Sequence, residues 1–504
     1  MFAHEVDYYC SNKNTIKMML LNKYYYEQIT ISSIASQMTQ KKLHNNKIKN
    51  ILYYKSHSKI KNIDHLFMLK ELSAYNNCMA KNIRLKKLTK IVKLQCNSNS
   101  KIKSANHLRN LKKLHCGQSS GIDQTGIKKL TRIVKLVCDY NEKITSVNHL
   151  CNLKELRCLS FSGINQNGIK FSTKIVKLTC HFNEKIIDVN HLCKLKELYC
   201  TANSGINQNG IKNLNKIIKL YCDLNEKITD VNHLKNIKEL YCRINSGIDQ
   251  NGIKNLSKII RLSCTGNKKI TDVNHLSDIK ELYCERDSGI DQNGIKYLTK
   301  ITTLSCDNNE KIVDVNHLID ISELYCSKNS GVDQNGIKNL RKIIRLNCDN
   351  NEKIININHL NHISELSCKK NSGIDQNGIK NLIKIIKLNC DSNKKITDVN
   401  HLNNLAKLYC RKNSGIDQNG IKNLSKIIEL NCDENEKIID VNHLKNIEVL
   451  YCSKNSGIDQ NGIKYLTTIK RLYCYENEKI IDVDHLCNLQ ELESRCINHD
   501  DEPF

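Results

Sequence analysis

The sequence predicts an α/β solenoid: a stack of short rungs with a continuous parallel sheet on the concave face and short helices or 3-10 turns on the convex face. Three observations predict it. A phrase such as "SGIDQNGIKNL" at Ser246–Leu256 recurs nine times. Nineteen cysteines from Cys96 to Cys474 follow one another at steps alternating between 20 and 22 residues. Trp is absent and Pro occurs once, at Pro503, so the core must be built from aliphatic side chains and Cys. A fixed period of this size asks for one elongated architecture in place of several globular domains.

Each rung reads as in "IKELYCRIN" (Ile237–Asn245) or "IIRLSCTGN" (Ile259–Asn267), an I/L-x-x-L-x-C-x-x-N pattern. Ala74 and Ser494 extend the ladder at its ends, and Tyr54 stands one rung earlier. Leu and Cys two residues apart share a strand face and point inward, while their neighbours point to the other face. One rung cannot bury its apolar side alone, so each is stabilised by the next.

This pattern resembles the leucine-rich repeat family, with Cys in the last apolar slot, over residues 46–494 and some 22 rungs. Two subtypes alternate. The 20-residue half, "KITDVNHLKNIKELYC", is similar to the short internalin-type repeat; the 22-residue half, with "GIDQNGIKNL", resembles the ITDxGLxxL segment of cysteine-containing repeats. The near-identical repeats and a Lys- and Asn-rich composition also resemble leucine-rich repeat proteins of giant amoeba viruses. The resemblance implies a non-enzymatic scaffold that takes a protein partner on its concave face.

Within the recurring phrase, Gly247 is expected to relieve a tight turn after the Asn, and Gly252 to let backbone pack closely as a short helix begins. Asp249 is placed to cap that helix, and Ile253, Leu256 and Ile259 recur at helical spacing toward the core.

Motifs that suggest chemistry have simpler readings. "DQNG" shares part of a calcium loop but lacks the further acidic ligands, and Asn165 and Asn207 replace the Asp in two copies. The His of "VNHL" recurs from His65 to His485 at 42-residue steps. Two rungs separate successive copies by about 9.6 Å, too far to share one zinc; a loop hydrogen bond at the sheet's edge is expected. The Cys ladder reads as packed, reduced thiols. No Cys-His-Asp arrangement or phosphate loop is present, so neither catalysis, metal nor cofactor is expected.

The net charge is +26. On the strand face, Glu155, Glu197, Glu239, Glu281, Glu323 and Glu365 alternate with Lys177, Lys219, Arg261, Arg345 and Lys387, a column that cancels itself. The residue after each Cys is often Asp, set against Arg243, Lys369, Arg411 and Arg495, with Asp307 and Glu285 among the acids. A near-neutral inner face argues against nucleic acid there, and the surplus Lys, such as Lys227, Lys254 and Lys258, is expected on the back and loops.

The middle column presents Tyr199, Tyr221, Tyr241, Tyr283, Tyr325, Tyr409, Tyr451 and Tyr473. Two readings stand: stacking along the sheet, which suits Tyr in strands, or anchors for a protein partner, with Arg243 beside them.

Residues 1–45 depart from the repeat. "SNKNTIKMMLLNKYYYE" (Ser11–Glu27) resembles the latter half of an F-box, with Leu21, Lys23 and Tyr25 at the matching positions and the usual Leu-Pro start missing. F-box plus leucine-rich repeats implies a substrate receptor that binds a ubiquitin-ligase adaptor; a plain helical cap over the first rung is the alternative. Residues 495–504 read as an acidic tail. The N-terminus has neither a signal-peptide pattern nor a membrane span, so a soluble cytoplasmic protein is expected. A basic back face that binds polyanions is a third reading.

Overall fold

The structure, a computed structural model, describes residues 53–56, 67–75 and 85–493. The chain divides after Leu256 into two compact units. In the first, parallel strands run from Tyr53–Ser56 to Glu239–Tyr241; in the second, from Arg261–Ser263 to Glu491–Glu493. Within each unit successive strands pair without a shift in register, as Leu94 with Leu114 and Leu136, or Leu324 with Leu346 and Leu366. Each unit is a leucine-rich repeat solenoid.

The strands are short because only the x-Leu-x alternation before the Cys is extended. Its central Leu and the Cys that follows are buried from Leu94 to Cys474, Leu492 of the last strand being exposed, and Ala74 occupies the Cys slot, also buried. Burying one such aliphatic side chain contributes about 1.5–3 kcal/mol, which a rung collects only when its neighbours cover it. The thiols are free and join the sheet's hydrogen bonding: Cys180 Sγ donates to the Tyr199 carbonyl at 3.5 Å and Cys200 Sγ to that of Tyr221 at 3.5 Å. Burial pushes the Cys180 thiol up to about 12, so it stays protonated and inert.

Below the ladder, buried Asn and buried Ser alternate. Asn183 Nδ2 donates to the carbonyls of Cys158 (3.0 Å) and Ile164 (3.2 Å), and its Oδ1 accepts from Lys185 N at 3.0 Å. In the intervening rung Ser204 is buried and its Oγ accepts from Ile206 N at 3.4 Å. The Asn of the x-x-N pattern therefore plays its part only in alternate rungs: Asn267 is buried, whereas Asn245 is exposed and Ser246 takes the interior position.

The recurring phrase is resolved letter by letter. Asp249 accepts from Gly252 N at 2.9 Å, the expected cap. The segment it caps, Asn251–Ile253, is a three-residue 3-10 turn. Among the described copies Gln166–Ile169 forms a single α-turn, with Asn165 accepting from Gly168 N at 3.0 Å in place of Asp. Ile253, Leu256 and Ile259 are buried as expected, although Ile259 lies well past the turn. Gln clamps the following rung: Gln208 Oε1 accepts from Thr229 N and Asp230 N, both at 2.9 Å, and its Nε2 donates to Asp230 O at 2.8 Å.

Gly247 corrects the sequence expectation. It does not take the turn; a Cβ there would lie 2.3 Å from the Glu226 carbonyl oxygen, so it is Gly because the preceding rung's backbone passes against it. Gly252 serves the same end, its Cβ position being 2.1 Å from Thr229 O. The left-handed turn falls instead on the residue two after the Cys, mostly a non-Gly residue such as Leu224 (φ 57°) or Lys328 (φ 58°), with Gly266 (φ 67°) the glycine there.

The recurring His makes the expected loop hydrogen bond, and its partner is the preceding 3-10 turn. His233 Nε2 donates to the carbonyl of Ile211, at the end of the preceding 3-10 turn, at 2.9 Å, and His317 makes the same bond to Ile295 at 2.9 Å.

Candidate partner-binding surface

The outward side of the strands carries three columns of side chains, and the middle one holds the tyrosines. In the first unit Tyr199, Tyr221 and Tyr241 fall on three successive strands in direct register. Their rings stack, with centroids 4.4 Å apart and 16° between planes for the first pair, 3.9 Å and 8° for the second. In the second unit Tyr451 and Tyr473 stack at 4.4 Å. Tyr283, Tyr325 and Tyr409 face Ser or Asn across the register instead. All eight are half-buried.

Glutamates of the first column hold the phenols. Tyr199 Oη donates to Glu197 Oε2 at 3.0 Å, Tyr283 to Glu281 at 3.1 Å, Tyr325 to Glu323 at 3.2 Å and Tyr409 to Glu429 at 2.7 Å. Lys177 bridges Glu197 at 2.8 Å while its ammonium sits 4.7 Å over the Tyr199 ring. Burial works to raise the Glu197 carboxyl, but hydrogen bonds from Lys177 and Tyr199 outweigh it and hold the group below its ordinary value. Burial first, then the Tyr241 hydroxyl, pushes the Tyr221 phenol up, so Tyr221 is neutral at any ordinary pH.

The expected alternation of charge is present. Lys219 meets Glu239 at 3.0 Å; Arg261 grips Glu281 with two bonds of 2.6 Å; Arg345 reaches both Glu323 (2.8 Å) and Glu365 (2.9 Å). In the third column the acids are mostly buried and paired. Arg243, a candidate contact residue, spends its guanidinium on Asp223 at 2.7 Å, and Lys369 and Arg411 similarly serve Asp349 (3.1 Å) and Asp391 (2.8 Å). At Asp307 burial, with Glu285 adding, holds the carboxyl above its ordinary value against a 2.6 Å bond from Ser327 N.

Two features escaped the sequence reading. The first corrects it: the strand face is not neutral throughout. Lys93, Lys113 and Lys135 stand on three successive strands in register, like charges directly opposite. Lys93 and Lys135 lean away to Glu71 (3.0 Å) and Glu155 (2.8 Å), leaving Lys113 exposed between them. His115, beside it, is pulled down to about 4 by burial and then by Lys135, Lys93, Arg157 and Lys113. Residues 85–143 hold fourteen Lys and Arg against three Asp and Glu.

The second is the left-handed turn that follows each strand, which in the first unit carries large apolar side chains from Tyr140 to Ile244. A column-by-column reading continued one position past Asp139 and Asp223 would have found it. Lys227, Lys254 and Lys258 are exposed, as expected. Lys227 also donates to the Ser204 carbonyl at 3.2 Å.

Leu21, Lys23, Tyr25 and the segment 1–45 lie outside the described residues, as do His65, Ser494, Arg495 and the tail 495–504. Among the described residues, no group of three or more His, Cys, Asp and Glu is placed to hold a metal ion, and no helix is long and apolar enough to cross a membrane.

No protein-family model matches the chain, and no curated protein matches it. Among solved structures, the functional domain of InlJ from Listeria monocytogenes, described as including a cysteine ladder, is similar over 77% of this chain and 74% of that one, at 20% identity and a TM-score of 0.38. The leucine-rich repeat character of this chain stands on its own strands, ladders and turns.

Proposed function

We propose that the protein is a non-enzymatic scaffold that binds a protein partner through the tyrosine-bearing strand face. The observation that carries this reading is the Tyr199, Tyr221 and Tyr241 stack. Three half-buried rings sit parallel on adjacent strands, with Lys177 and Glu197 fixing the first. Rings held this way lose little rotamer freedom on binding, and Tyr with an apolar face and a polar tip is a typical interface anchor. Arg243, Tyr283, Tyr325, Tyr409, Tyr451 and Tyr473 extend the face. Free, buried thiols along the ladder suit a reducing, cytoplasmic setting.

Affinity capture with the full chain beside a Tyr199→Ala, Tyr221→Ala, Tyr241→Ala variant tests it. The wild type is expected to retain at least one partner that the variant loses; identical partner lists would remove the patch from consideration. The F-box-like residues Leu21, Lys23 and Tyr25 favour a second reading, a ubiquitin-ligase substrate receptor. It requires that the full chain bind the purified ligase adaptor and that a chain lacking residues 1–45 fail to.

A further inference from the structure

In the first unit, past Ser98 and Gln118, the residue two places after the ladder Cys, or three after Cys158, leaves the strand with positive φ: Tyr140 57°, Phe161 32°, Phe182 55°, Ala202 56°, Leu224 57° and Ile244 20°. Five of these six are large and apolar, and they are exposed by 49, 71, 54, 47 and 39% in that order, Ala202 aside. In the second unit the same place holds Gly266, Arg286, Asn308, Lys328, Asn350, Lys370 and Ser392, and continues polar to Glu476.

The left-handed region crowds the Cβ of an L-residue; Gly and Asn enter it readily, whereas bulky and β-branched residues are outliers there. Lys328 and Arg286 carry the same Cβ crowding as Phe182 and Leu224, so what sets the first unit's row apart is hydration: large apolar side chains stand exposed where the second unit holds mostly polar ones.

Rungs are about 4.8 Å apart, so the row extends roughly 25 Å along the first unit. Tyr140 and Phe161 already touch, ring centroids 6.3 Å apart. Leu224 and Ile244 each follow a stacked tyrosine, Tyr221 and Tyr241, by three residues, so the row borders the proposed binding face.

We infer that this row is a docking edge for an acidic segment of a protein partner, whose large apolar side chains pack along it while its carboxylates meet the lysines of the same unit. Charge selects the occupant. Residues 85–256 carry thirty Lys and Arg against twelve Asp and Glu, and residues 257–493 carry thirty-four against thirty-two. A second copy of this chain would bring two such basic edges together and is disfavoured. A nucleic-acid strand binds by stacking its bases on successive aromatic rings, and Ala202, Leu224 and Ile244 interrupt the rings of this row, whereas apolar side chains pack on aliphatic and aromatic residues alike. The inference rests on the proposed function in taking the partner to be a protein.

The test uses the full chain, a Phe161→Asn, Phe182→Asn, Leu224→Asn edge variant and the triple Tyr→Ala variant, each probed with a displayed library of random 15-residue peptides. Peptides enriched on the wild type are expected to be net negative with at least two large apolar residues, and to bind the edge variant at least tenfold more weakly. The edge variant should unfold at the same or a higher temperature, because Asn suits the turn; a drop in binding accompanied by unfolding at lower temperature would overturn the inference. So would neutral or basic enriched peptides, or equal binding to the edge variant. Loss on the Tyr variant alone leaves the strand-face reading standing and removes the edge; loss on the edge variant alone does the reverse. A 20-nucleotide single-stranded DNA that the wild type binds and the edge variant does not, or a wild-type dimer in sedimentation that the edge variant splits, would assign the row to another occupant.

Discussion

The two units are built alike and dressed differently. Both bury the same Leu and Cys columns, both close each rung with Asn or Ser, and both seat glycine against the preceding backbone. They differ where a side chain is free to vary. The first unit holds nearly all the surplus positive charge, three lysines in unbroken register, a three-ring tyrosine stack and an apolar turn edge. The second has almost balanced charge, polar turns and one two-ring stack. The repeat thus specifies stacking, and the first unit's departures from it specify a surface; near-identity of the rungs makes those departures conspicuous.

If the scaffold is the same in both units, equivalent insults must weigh the same. The heaviest is a methyl group at the second glycine of the phrase. A Cβ at Gly252 or Gly420 would lie 2.1 Å from a backbone oxygen, Thr229 O or Thr397 O, which no rotamer can move aside. Gly252→Ala and Gly420→Ala are each expected to cost about 3 kcal/mol, as overpacking against backbone does. Chemical denaturation of the two variants checks this, and a difference of more than about 1 kcal/mol between them, well beyond ordinary scatter, would show that the units do not share one scaffold.

A smaller, equally matched loss is expected at the buried amides. Asn225 Nδ2 donates to Cys200 O and Ile206 O at 3.0 and 3.1 Å, Asn393 Nδ2 to Cys368 O and Ile374 O at 2.9 and 3.1 Å, and each Oδ1 accepts from the backbone two residues on. Replacing either by Ala leaves buried carbonyls and an N–H without partners, an expected cost of about 2 kcal/mol. Amide hydrogen exchange sharpens the comparison: protection of Lys227 N–H should fall in Asn225→Ala, and of Lys395 N–H in Asn393→Ala, by similar factors.

What the sequence disclosed and what it hid follow one rule. Features set by period and polarity alone were legible: the inward Leu and Cys, the parallel register, the Asp249 cap, the alternating Glu and Lys, and the tyrosine column. Features set by one rung's backbone against the next were not. Gly247 reads as a turn residue because turns favour Gly, yet its cause is the Glu226 carbonyl in the rung before. Asn245 and Asn267 occupy the same letter of the pattern, and only the extra residues of the longer half turn the first outward. The apolar edge was hidden by expecting glycine at left-handed turns, and the lysine run by averaging charge over the whole face.

The smallest effect separates the units by electrostatics alone. His115 shares its rung with Lys113 and is pulled down to about 4, by burial first and then by Lys135, Lys93, Arg157 and Lys113. An unfolded imidazole takes its proton near pH 6.5. The folded state therefore refuses a proton that the unfolded state accepts, and the stability tied to His115, full above about pH 6.5, is lost as pH falls toward 4. Nuclear magnetic resonance of the imidazole should give a midpoint near 4 in the wild type and a higher one in Lys113→Gln, since one repelling cation is gone. Lys254→Gln, an exposed change outside the four cations that act on His115, should leave the midpoint where it was. Equal midpoints in the wild type and Lys113→Gln would mean that burial alone sets the imidazole, and that the lysine run exerts no field on the face it occupies.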